Sequence, residues 1–141
     1  MRKLISTNEI YGINNFIPED IDIIDDKNMR LIVTNILHNI GIPPNLSGYS
    51  YLREAILMSI KNKENLESVT KILYPNLAKT FNSTPIRVER AIRHAIEVGW
   101  NRGNTQFLKE LFGYTINCRK NKPTNSEFIA LLSDALSLKY Y

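Results

Sequence analysis

Apolar residues recur along this chain at helical spacing, and almost nowhere in the strict alternation of a strand. From Asn28 the pattern Leu31, Ile32, Asn35, Ile36, Ile40 predicts a helix that stops at Gly41, with Pro43-Pro44 beyond it. Tyr51 to Ile60 repeats the pattern through Leu52, Ala55, Ile56 and Ile60, and Lys61 to Asn65 is a polar break. Leu66 to Leu73 predicts a short third helix. Its expected end is Tyr74-Pro75, because the residue before a proline is disfavoured in the α region. Asn76 to Phe81 carries Leu77, Ala78 and Phe81, then Asn82-Ser83-Thr84 supplies turn chemistry. Thr84 is a good N-cap with Pro85 at the first helical position. A long helix follows, with Val88, Ala91, Ile92, Ala95, Ile96 and Gly99 on one stripe. Gly103 is expected to close it as a left-handed cap. Thr105 to Phe112 is a short helix closed by Gly113. Thr124 to Glu127 starts a last one, apolar at Phe128, Ile129, Leu131, Leu132, Ala135, Leu136 and Leu138. That face completes the core or forms a dimer contact. Residues 1–27, interrupted by Gly12, Asn14-Asn15 and Pro18, read as an irregular arm before a helical domain at 28–141.

The polar side of the long helix changes the picture. Arg87, Arg90, Arg93, His94 and Glu97 lie opposite the apolar stripe, with Glu89 on the flank. A short helix, a tight turn and a long helix over about residues 75–102 form the layout of a helix-turn-helix, whose second helix enters the major groove. Arginine can grip guanine O6 and N7 with two bonds, and a nearby glutamate can accept from cytosine N4. The plainer alternative is a solvated face of an amphipathic helix. Three arginines and a histidine crowded towards the N-terminal half favour DNA reading.

Composition supports this and excludes much else. The 141 residues suffice for one domain with a core, and the net charge of +4 is unevenly spread. Residues 1–27 hold three basic groups against six acidic ones, a net of −3, which leaves +7 on the remainder. A basic domain behind an acidic leader fits a nucleic-acid partner. Arg119, Lys120 and Lys122 cluster between Tyr114 and Pro123, where they either meet phosphate or are simply solvated. The lone Cys118 excludes an internal disulfide and a multi-cysteine zinc site, and makes a cytoplasmic location the default. No run approaches roughly 18 apolar residues, so no membrane span is expected. There is no glycine-rich phosphate loop, nucleophile elbow or HExxH, and hence neither an enzyme nor a cofactor is expected. Glu89 and Glu97 could mimic a carboxylate pair, but nothing implies a cleft around them. His38 has no second ligand spaced for a metal, and the pair His94 with Cys118 lacks a third ligand or an orienting carboxylate.

The runs Gly48-Tyr49, Tyr51-Leu52-Arg53-Glu54-Ala55-Ile56 and Arg87 to Val98, with Leu111 to Thr115 and Lys122 to Ala130, closely resemble the DNA-binding effector domain of the sporulation response regulators, the stage zero sporulation protein A family. The likeness covers about residues 29–138. It implies an all-α, winged-helix-like domain of about six helices that binds TGTCGAA-type promoter boxes in double-stranded DNA, usually as tandem dimers. It also implies that Glu89, Arg90, Arg93 and His94 are the recognition-helix residues. The segment containing Gly103, Phe107, Phe112 and Ile116 would be the surface that meets RNA polymerase through its primary sigma factor. Ser47 stands where the family carries a lysine. Residues 1–27 are too short for the doubly wound receiver that takes phosphate on an aspartate, so the expectation is either an excised fragment or a stand-alone effector without a receiver, which phosphorylation cannot switch directly. A competing expectation is an interaction protein that pairs with the full-length regulator or the polymerase and antagonises it.

Overall fold

A computed structural model describes residues 25–103, 105–112 and 122–140. Seven α-helices occur there: α1 (Asp26–Ile40), α2 (Ser47–Lys61), α3 (Glu64–Glu67), α4 (Tyr74–Thr80), α5 (Pro85–Arg102), α6 (Thr105–Phe112) and α7 (Asn125–Tyr140). A π-helical turn, Val69–Leu73, joins α3 to α4. No strand occurs among the described residues, and the fold is all-α with one more helix than the six expected.

α1 begins two residues before the expected start because Asp25 caps it, its side chain accepting from the Asn28 N–H at 2.8 Å. Its buried stripe is Met29, Ile32, Val33, Ile36, Leu37 and Ile40, while Leu31, counted in the apolar pattern, faces solvent. The helix ends at Gly41, where φ is +102° and the cap N–H returns to the last carbonyls.

The span read as one third helix is not a regular helix. α3 stops at Ser68, and the chain re-enters helical geometry through the π turn, in which the Tyr74 N–H reaches the Val69 carbonyl. Tyr74 sits squarely in the α region (φ −61°, ψ −43°), against the expectation for a residue before proline. The wider turn explains it. An α-helix through this point would press the Pro75 ring on the carbonyl four residues back, and a π turn re-spaces those carbonyls. Pro75, without an N–H, then occupies the opening of α4.

α2 is the centre of the assembly, packing on α1, α5 and α7. Leu52, Ala55 and Ile56 are completely buried along it. Its first turn touches α5 at Gly48. A Cβ there would lie 2.1 Å from the Ala91 carbonyl oxygen and 2.7 Å from the Ala95 Cβ, so only a hydrogen fits. Tyr51 of α2 meets Phe81 edge to face at 4.8 Å between centroids, which ties the central helix to the turn between α4 and α5. On the other flank Phe112 sits between Trp100 and Phe128, at 5.4 and 5.5 Å. α7 completes the core, with Phe128, Ile129, Leu132, Ala135 and Leu136 all buried and Leu138 exposed. Arg30 and Glu54 form a two-point ion pair across α1 and α2, with the Arg30 Nη2 contact at 3.1 Å. That hydrogen bond raises the Arg30 pKa above its ordinary value.

Candidate nucleic-acid interface

The motif is built from local chemistry. α4 ends at Thr80, and Phe81 to Thr84 make the turn. Asn82 takes φ +52°, a left-handed conformation that asparagine tolerates better than most residues. The Ser83 N–H closes the turn on the Ala78 carbonyl at 2.8 Å. The Thr84 hydroxyl accepts from the Arg87 N–H at 3.3 Å, with Pro85 first in the helix. Thr84 and Pro85 take the roles expected of them, and the turn falls where Asn82-Ser83-Thr84 predicts it, made by a left-handed backbone at Asn82 and a main-chain bond at Ser83.

Inward from α5 point Val88, Ile92, Ala95, Ile96 and Gly99, all buried. Arg87, Arg90, Arg93, His94 and Glu97 are exposed, and Glu89 is half-buried. Ile86 shares the outer face and is 66% exposed. Both acidic residues are engaged. Glu89 lies 3.6 Å from Arg93, one turn on. Glu97 pairs with Lys122, which reaches across from the segment before α7. The Lys122 hydrogen bond holds the Glu97 carboxyl below its ordinary pKa. Arg87 and Arg90 are exposed and, among the described residues, make no ion pair. The pairing also changes the reading of Lys122: its ammonium is shared with Glu97 before any phosphate arrives.

Sequence reasoning missed what braces this helix. Thr124 and Glu127 form a capping box, Thr124 N–H to Glu127 Oε1 at 2.9 Å and Glu127 N–H to Thr124 Oγ1 at 3.1 Å. The box sets Asn125 at the first position of α7. From there its amide donates to the Tyr74 hydroxyl at 3.0 Å and the Glu89 carbonyl at 3.2 Å. One side chain thus fixes α4, α5 and α7 together. Burial pushes the Tyr74 phenol above its ordinary pKa, and the Asn125 bond partly offsets it. A cleft of about 380 Å³ opens beside this junction, with Arg93 and Lys122 among its lining. The TNSE string signalled the cap; nothing in it signalled the partners of Asn125.

The segment assigned to polymerase contact fares differently. Phe112 is completely buried between two rings, which makes it a core residue; it can support a surface only from beneath. Gly103 is extended (φ −67°, ψ 158°), not left-handed as expected of it. Close packing explains the glycine: a Cβ would fall 2.6 Å from the Ile40 carbonyl oxygen. Phe107 is partly buried against the core. Ile116, Lys120, Arg119 and Cys118 lie outside the described residues, as do residues 1–24 of the arm. Neither His38 nor His94, both exposed, belongs to a group able to hold a metal among the described residues.

A short helix, a turn with one left-handed asparagine and a long helix presenting arginines outward define a helix-turn-helix DNA-binding domain. Residues 33–136, most of the chain, match the family described as sporulation initiation factor Spo0A C terminal, and the chain belongs to that family. It is a DNA-binding, sporulation-related effector domain. Among the described residues no helix is long and apolar enough to cross a membrane.

Proposed function

We propose that this domain regulates transcription by reading TGTCGAA-like boxes in double-stranded DNA with the outer face of α5. The observation that supports it best is the exposure of Arg87, Arg90, Arg93 and His94 on a helix whose two acidic residues already have partners. Arg90 and Arg93 take guanine edges, Glu89 orients Arg93, and Arg87, turned about 60–120° around the helix from those two arginines, meets the backbone. Two copies on tandem boxes would double the contact area of a single domain, which is small for tight binding.

A fluorescence anisotropy titration against a box duplex and a scrambled one, at several salt concentrations, tests the proposal. The box should bind at least about tenfold more tightly, a difference of ~1.4 kcal/mol. Arg90→Ala and Arg93→Ala should each cost about 1–3 kcal/mol on the box and relax base choice. Equal, steeply salt-dependent affinity for both duplexes would reduce the interaction to electrostatic attraction. Variants that bind as wild type would end the assignment of Arg90 and Arg93.

A further inference from the structure

We propose that Ile86 is a specificity-determining residue that reads the 5-methyl group of a thymine in the major groove. The inference rests on the DNA-reading role of α5 proposed above and adds a residue to it.

Ile86 is the second residue of α5, and its side chain is absent from the core and from the half-buried apolar groups packed on it. It is the most exposed of the three large apolar residues on the described surface; the others, Leu31 and Leu138, belong to α1 and α7. A single exposed apolar residue is ordinary. Its direction here is not. At 100° per residue Ile86, Arg90, Arg93 and Glu97 fall within about 60° of one another, so Ile86 heads the same outward row as the two arginines. It also stands at the end of the helix that a helix-turn-helix pushes deepest towards the bases.

Local preference does not explain the choice. The first turn of a helix favours acidic residues, which complement its dipole, and a β-branched side chain helps a helix little. An apolar group at this place is suited to one feature of the groove floor, the thymine methyl, which apolar side chains contact and cytosine lacks. The order along the row then fixes the order on DNA. The thymine lies beyond the base read by Arg90, on the side away from the base read by Arg93.

The test uses the 141-residue chain and box duplexes in which each thymine in turn is replaced by deoxyuridine, which removes the methyl and keeps every hydrogen-bonding group. Wild type should lose about fourfold in affinity at one thymine, the equivalent of ~0.8 kcal/mol for one buried methyl. Ile86→Ala should bind the unmodified box about as weakly as wild type binds that uridine duplex, and should lose nothing further on it. Helical circular dichroism should not change, since the side chain has no core contact. Box preference without sensitivity at any thymine would overturn this inference alone. So would sensitivity that persists in Ile86→Ala. Loss of box preference in wild type itself would overturn the reading beneath it as well.

Discussion

Replacing Gly48 with alanine should push α2 and α5 apart and lower stability, although alanine is the better helix former. The added Cβ would sit 2.1 Å from the Ala91 carbonyl oxygen, about 1.3 Å short of an ordinary contact, and 2.7 Å from the Ala95 Cβ. The first obstacle is backbone, so no rotamer change relieves it; the helices themselves must shift. Overpacking of this kind costs about 1–3 kcal/mol. The propensity gain of alanine over glycine is at most ~1 kcal/mol and is smaller in a first turn. The net expectation is a loss of roughly 1–2 kcal/mol. Urea titration followed by circular dichroism should show a lower midpoint with an unchanged slope. Because α5 carries the arginines, affinity for the box should fall as well. A midpoint equal to or above that of wild type would refute the steric argument, since propensity alone would then govern the site.

Asn82→Ala should destabilise by ~1 kcal/mol, because φ is +52° there and alanine loses the tolerance asparagine has; Asn82→Gly should be close to neutral in the same thermal melts. Phe112→Ala should cost about 3–5 kcal/mol by removing a fully buried ring that meets both Trp100 and Phe128; a loss under about 1 kcal/mol would mean the ring is not part of the core. Lowered in the folded state, the Glu97 pKa implies a contribution to stability that is present above its unfolded value and fades as pH falls through the folded one. An NMR titration should place the Glu97 midpoint below that of an ordinary glutamate, and Lys122→Met should move it back up. Tyr74 behaves in the opposite sense. Its raised pKa means stability is full below the unfolded value and declines as pH rises towards the folded one, a decline that Tyr74→Phe should lessen in alkaline melts.

The sequence by itself determined the helical class, the turn at Asn82 to Thr84 and the outward face of α5. All of these follow from neighbours within about four residues: apolar spacing, an N-cap hydroxyl, a proline at the first position. It also carried the family likeness that the match over residues 33–136 shows. Periodicity still misplaced details where a single residue was decided by distant ones. Leu31 fits the apolar spacing yet faces solvent, and Gly103 fits a left-handed cap yet is required by the Ile40 carbonyl. The family likeness assigns Phe112 to a surface segment, but a likeness over a segment does not say which of its rings turns inward, and Phe112 is buried. Only the tertiary structure brought Lys122 to Glu97 and Asn125 to Tyr74 and Glu89, pairs separated by 25, 51 and 36 residues. Contacts between residues that far apart depend on how whole helices cross, and the crossing is set by steric fit at places such as Gly48. Local pattern decides which helices form; close packing decides which side chains meet.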